Sequence, residues 1–279
     1  MMAAAPPDLS PLHGIPLAVA AVRSVLTYLA ISVYVLLAGP PALLASALFD
    51  ARLFVHFLGR QGARLGMATS GIRYRLEHAE NDPAGRAVIF CGNHQSNVDA
   101  PILFVSLRPG LRALFKAEMQ KLPILGRAML AAGLLPIDRA DREQARATVD
   151  RAVGFLKAGD SYMVFPEGTR SRTGELLPFK KGPFLMAIAA QAPMVPVAIS
   201  GGRAAMAKGS YVIRPVTVRV RVGEPVETTG MTPDDRDRLI AEVRGRLERM
   251  LADMGGSSQD SGVGIQDLGA RSRAAGASS

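Results

Sequence analysis

The chain has 279 residues, 48% of them hydrophobic, which gives room for one large domain or two small ones around a packed core and excludes disorder of the whole chain. Its 33 Lys and Arg against 24 Asp and Glu leave a net charge of +9, a bias towards anionic partners: phosphate groups, nucleic acid or an anionic membrane surface. The absence of Trp, the 5% of aromatic residues and the lack of any zinc-finger, homeodomain or RNA-recognition signature speak against nucleic acid and favour a lipid surface.

Residues 1–22 contain Asp8 and no Lys or Arg, so a secretory signal peptide fits poorly. From Ser24 to Phe49 a run of 26 residues carries no charge. It is longer than the roughly 20 apolar residues that cross a bilayer. Gly39-Pro40-Pro41 interrupts it, and a double proline ends or sharply kinks a helix, which predicts two helices over about 16–38 and 42–62. Residues 1–68 therefore read as a membrane-associated hydrophobic helical hairpin. In the second helix Arg52, His56, Arg60 and Arg64 recur every four residues, while Leu48, Phe54, Val55, Phe57 and Leu58 supply apolar surface. That pattern suits an interfacial helix with a basic stripe for lipid headgroups. A helix packed on the protein's own core is the alternative. A spanning first helix followed by an Arg-rich segment places the main domain on the cytoplasmic side of the inner membrane, and a monotopic hairpin places it there too.

Residues 69–254 alternate strand-like and helical runs. Strands are predicted at 72–76, 87–91, 111–115, 134–137, 162–165, 194–199 and 216–222, and helices at 101–106, 125–131, 142–158, 184–190 and 234–253. Such alternation implies a layered α/β domain, a mixed central sheet with flanking helices, whose strand-end loops carry the chemistry. From 255 to 279 the chain turns to Gly, Ser, Ala and Gln and is expected to be a disordered tail. The lone cysteine, Cys91, rules out an intramolecular disulfide framework and fits a reducing compartment. The histidines His13, His56, His78 and His94 are too scattered for a linear zinc motif, so chemistry without metal or cofactor is expected.

The loop Asn93-His94-Gln95-Ser96-Asn97-Val98-Asp99 follows the second strand, and Pro101 suits the first turn of the helix after it. Five residues apart on one helix, His94 and Asp99 would lie about 140° from each other, whereas a tight loop can fold one onto the other. The carboxylate then holds the imidazole in one tautomer, and the imidazole is suited to take a proton from a substrate hydroxyl and return it to a leaving group. The plainer alternative is a capped loop with His94 merely packed. Ser96 and Cys91 are the rival nucleophiles. Ser96 lacks the Gly-x-Ser-x-Gly elbow, and Cys91 closes an apolar run where a small buried residue is the default.

Phe165-Pro166-Glu167-Gly168-Thr169-Arg170-Ser171 follows an uncharged strand and comes to the same sheet edge as His94. Arg170 offers a planar fork of donors for a phosphate, Thr169 a hydroxyl, and Gly168 close backbone approach. Glu167 can orient an arginine or accept from a glycerol hydroxyl; the plainer alternative for this block is a turn with an exposed salt bridge. Arg139, closing the block Gly133 to Arg139, and Lys116, closing the third strand, are candidates to complete a basic pocket. The run Val195 to Ile199 reads as a buried strand shaping an apolar wall.

Taken in order, these four blocks resemble those of the glycerolipid, or lysophospholipid, acyltransferase family over residues 85–200, and the upstream hairpin is similar to that of bacterial members. The resemblance implies that His94 is the general base and Asp99 its orienter. It also implies that Glu167, Gly168, Thr169, Arg170 and Arg139 serve the acceptor phosphate. Pro136 departs from the family pattern, which often has an aromatic residue there. The implied reaction carries an acyl group from acyl-CoA or acyl carrier protein, as thioester co-substrate, to the sn-2 hydroxyl of lysophosphatidic acid, giving phosphatidic acid. A different lysolipid acceptor, or a non-catalytic membrane-associated protein, are the competing readings.

Overall fold

The computed structural model describes residues 17–138 and 140–260, the side chains of Arg142 and of 256–260 excepted. The helices are α1 (Leu17–Leu48), α2 (Arg52–Ser70), α3 (Asp99–Ser106), α4 (Leu125–Ala131), α5 (Arg142–Lys157), α6 (Gly182–Ala190), the short α7 (Gly202–Ala205) and α8 (Arg236–Asp260). The strands are β1 (Arg73–Glu77), β2 (Ile89–Gly92), β3 (Arg112–Lys116), β4 (Leu135–Ile137), β5 (Tyr162–Val164), β6 (Met194–Ser200) and β7 (Thr217–Val222). All seven predicted strands form, each within two residues of its expected bounds. They make one sheet of order β1-β7-β6-β2-β5-β3-β4, parallel throughout except where β7 runs against β6.

Successive strand residues point to opposite faces, and the core divides accordingly. On one face Phe90, Val195, Val197, Val218 and Val220 pack with Val55 of α2 and Ile102 and Leu103 of α3. On the other, Ile89, Cys91, Met194 and Ala198 pack with α5, α6 and α8 through Leu156, Phe184 and Leu247. β2 and β5 are neighbours, yet the chain leaves β2 towards α3 on the first face and β5 towards α6 on the second. Their outgoing loops part at the carboxyl edge and leave a crevice between them, the usual place for a site in an open α/β sheet.

The hairpin differs from expectation in its turn. α1 runs unbroken through Pro40 and Pro41 to Leu48, and the chain reverses ten residues later, around Phe49 to Ala51. Two ladder bonds are lost at the prolines, but Gly39 and Ala42 are buried there, and Gly39 lies so close to Ile124 at the head of α4 that a Cβ would collide with it. Tertiary packing carries the helix past its breaker. The opposite side of α1 is an exposed apolar stripe: Val22, Leu26, Leu29, Val33, Leu37, Leu44 and Leu48.

The basic stripe of α2 also points elsewhere than expected. His56 is buried, with Nε2 3.2 Å from the Leu111 carbonyl and its ring against Phe104. Burial lowers its pKa to about 4, holding it neutral. Arg60 donates to the carbonyls of Phe104, Val105 and Leu107 at the end of α3, and Arg52 pairs with Asp160 at 3.0 Å. Open carbonyls at a helix end attract cations, so Arg60 caps α3, while Arg52 and His56 are held against other parts of the domain. Arg64 alone of the four stays exposed. At the far end α8 continues as helix to Asp260, past the expected stop at 253, and the rest of the expected tail, 261–279, lies outside the described residues.

Candidate active site

Asn93, buried at the end of β2, exchanges two hydrogen bonds with the backbone of Ile199 in β6, donating through Nδ2 at 2.9 Å and accepting through Oδ1 at 2.7 Å. It takes the place of one more ladder residue and pins the start of the loop. Asp99 is the first residue of α3, not a loop residue as expected, and is fully buried. Its Oδ2 accepts from the amides of Gln95 (2.7 Å) and Ser96 (2.6 Å) and lies 3.0 Å from His94 Nδ1. An oxygen already accepting two amide hydrogens leaves Nδ1 as the donor. The neutral imidazole therefore carries its proton on Nδ1 and presents a lone pair on Nε2. Among the described residues Nε2 makes no hydrogen bond, and the side chain keeps 19% of its surface exposed.

Phe165, just past β5, stacks on the His94 ring with centroids 4.1 Å apart, fixing the ring from its face. Glu167 is buried: Oε1 accepts from the His94 amide at 2.8 Å and Oε2 from the Leu177 amide at 3.0 Å. Burial pushes its carboxyl above the ordinary range while those amides pull it back. It latches the two crevice loops together, and the Ser171 amide adds a bond to the His94 carbonyl at 2.8 Å. Each Glu167 oxygen accepts one backbone amide, so the residue positions the loops, and its remaining lone pairs are left for the part foreseen for it, orienting an arginine or meeting a glycerol hydroxyl.

Thr169 and Gly168 stand at the rim, Gly168 with a left-handed φ of 70° that turns the loop. Arg170 Nη1 is buried without a partner among the described residues. Lys116 comes out on the same edge two strands from β2, 64% exposed and paired with Glu118 at 2.9 Å, and no contact joins it to His94, Thr169 or Arg170 among the described residues. Arg139 lies outside the described residues. The rival nucleophiles are disarmed: Ser96 Oγ donates to the Met206 carbonyl at 2.7 Å, and Cys91 is fully buried, its thiol pushed up by burial and by nearby Glu167. Beside Phe165 a cavity of about 1190 Å³ runs between α5 and α6, walled by Ile137, Val149, Val153, Leu185 and Ile188, with Thr169 on its lining.

What the sequence reading missed is the segment after β6. Gly202 opens α7 directly against Asp99, where a Cβ would fall on Oδ1, an atom with no hydrogen-bond partner among the described residues. The Gly201-Gly202 doublet closing an apolar strand was the available signal, since paired glycines mark a turn or a close approach. Gly202→Ala is expected to push Asp99 off the imidazole and cut turnover by at least about tenfold while the melting temperature stays within a few degrees, a comparison that steady-state kinetics beside thermal unfolding would check.

Residues 73–200 match the acyltransferase family. The chain is similar to the 1-acyl-sn-glycerol-3-phosphate acyltransferase of Limnanthes douglasii, 33% identical over 65% of this chain and 64% of that one. It is also similar to the human 1-acyl-sn-glycerol-3-phosphate acyltransferase alpha, 34% identical over 62% of each. It thus spans just under two thirds of the length of these relatives. Among solved structures, the crystal structure of the 1-acyl-sn-glycerophosphate (LPA) acyltransferase PlsC from Thermotoga maritima superposes with a TM-score of 0.72 at 25% identity, over 84% of this chain and 96% of that one.

Proposed function

From the match of residues 73–200 to the acyltransferase family, we propose that this chain transfers an acyl group from an acyl thioester to the sn-2 hydroxyl of lysophosphatidic acid. The product, phosphatidic acid, places the reaction in phospholipid biosynthesis. The observation that carries the reading is the arrangement of His94, anchored through Nδ1 with Nε2 open, in a loop bonded to the one that bears Thr169 and Arg170. A base for a hydroxyl and a donor fork for a phosphate thus share one crevice, and the names of the relatives supply the acceptor that has both groups.

In this reading His94 Nε2 takes the proton of the sn-2 hydroxyl as its oxygen bonds to the thioester carbonyl carbon. Collapse of the tetrahedral intermediate breaks the C–S bond, and the imidazolium returns the proton to the departing thiolate of acyl-CoA or acyl carrier protein. Asp99 steadies the imidazolium without itself taking the proton. With Ser96 and Cys91 both committed elsewhere, transfer is direct, with no acyl-enzyme. The apolar cavity beside Phe165 accommodates an acyl chain.

The exposed stripe of α1 gives the acceptor its route. One side of the helix packs on the domain through Ala20, Ser24, Gly39 and Ala42, so the apolar side lies along the bilayer surface rather than across it. Leu53, Phe54 and Phe57 of α2 and Leu122, Leu125 and Leu130 in and beside α4 are exposed as well. α4 follows the carboxyl end of β3, on the edge that holds His94, so the crevice faces the membrane. A reduced Cys91 and the net positive charge suit its cytoplasmic side. The test is competition: unlabelled lysophosphatidic acid should suppress acylation of a tracer amount of the same lipid far better than lysophosphatidylcholine does. Equal suppression would reassign the acceptor to lysolipids at large.

A further inference from the structure

The segment from Gly201 to Val216 works as a strap across the crevice. At one end it is held by α1: Ser24 Oγ accepts from the Ile213 amide at 2.8 Å, and Tyr28 donates to the Tyr211 carbonyl at 2.9 Å. At the other it reaches the phosphate-facing loop. Lys208 donates to Thr169 Oγ1 at 3.1 Å and to the Arg170 carbonyl at 2.9 Å. The strap is fixed next to the base by the bond from Ser96, two residues from His94, to Met206, two residues from Lys208. Lys208 is therefore clamped to the crevice loops from both sides.

The charge it brings is not neutralised. Among the described residues neither Lys208 nor Arg170 takes part in an ion pair, and Glu167, the one carboxylate within the Phe165 to Ser171 block, is turned away onto backbone amides. An ammonium has three N–H donors, and two are placed. Arg170, whose backbone carbonyl Lys208 holds, has a buried Nη1 with no partner among the described residues. A lysine bonded to the loop that carries Arg170, with unused donors on both residues and no counter-charge, is matched to an anion that can accept from both.

We infer that Lys208 is a further acceptor-binding residue that reads the terminal phosphate together with Arg170 and so favours a phosphomonoester over a phosphodiester headgroup. The inference rests on the acceptor proposed above and adds the group that selects it. A phosphomonoester carries a second negative charge near neutral pH, which a diester lacks, and a second cation is worth most against that charge.

The test compares Lys208→Met and Lys208→Arg with the wild type in turnover and in binding. Lys208→Met should raise the KM for lysophosphatidic acid at least about tenfold, leave the KM for the acyl thioester within about twofold, and lose most of the preference over lysophosphatidylcholine. Lys208→Arg should recover most of the KM, since charge is kept. Calorimetric titration with glycerol 3-phosphate gives a readout free of turnover, with an expected weakening of about tenfold or more in the Met variant. An unchanged affinity and KM overturn the inference. So does a parallel rise of both KM values with a lowered melting temperature, which marks Lys208 as a tether of the strap and nothing more. Lysine-dependent binding without formation of phosphatidic acid keeps this inference and sinks the acceptor reaction instead.

Discussion

His94→Ala should lower acyl transfer to lysophosphatidic acid by at least about a hundredfold at saturating substrates, the scale on which a positioned general base acts. The prediction follows from one free atom. Nδ1 is tied to a buried carboxylate, the ring face is covered by Phe165, and Nε2 alone is open. Because the ring lies at the rim, its loss should leave the fold intact, with the far-ultraviolet dichroism of the wild type. Residual activity within tenfold of wild type would mean that the hydroxyl needs no base or finds another.

Asp99→Asn should cost about as much, and for a different reason. The change keeps the volume but removes the charge that steadies an imidazolium, and it gives the side chain donors where three donors already converge on Oδ2. If the amide oxygen stays towards Gln95 and Ser96, the amide nitrogen must sit against Gly202. If it flips, nitrogen faces His94 Nδ1–H and turns the tautomer the wrong way. Either outcome predicts a fall of about a hundredfold to ten thousandfold in kcat, with a smaller effect on KM. Activity near that of wild type would reduce Asp99 to a loop cap.

The fold was largely legible because strands announce themselves as short apolar runs or, as in β1 and β7, as alternating ones, and each of the seven stood out against Gly, Pro and charged flanks. The pairing of His94 with Asp99 was legible for the same reason, since a strand end followed by Pro101 confines both to a few residues of chain. What escaped depends on contacts between distant segments. Nothing local shows that Gly39 packs on Ile124 and carries α1 past two prolines. Nothing in a four-residue basic repeat tells a headgroup stripe from Arg60 capping α3. Glu167 stood out in its motif as a ligand-binding candidate, and its further part as a latch shows only in the placement of the His94 and Leu177 amides. The strap carrying Gly202 and Lys208 lay beyond the last recognised block, and its importance arises from α1 and the crevice loops meeting on it.

The most direct test of the central claim is to incubate the detergent-extracted full chain with 1-acyl lysophosphatidic acid and an acyl-CoA labelled in its acyl group, then to locate the label in the lipid product. The account predicts phosphatidic acid with the label at sn-2 and none on the protein after denaturation. Label bound covalently to the protein, or a folded chain that forms no phosphatidic acid from acyl-CoA or from acyl carrier protein thioester, would contradict it.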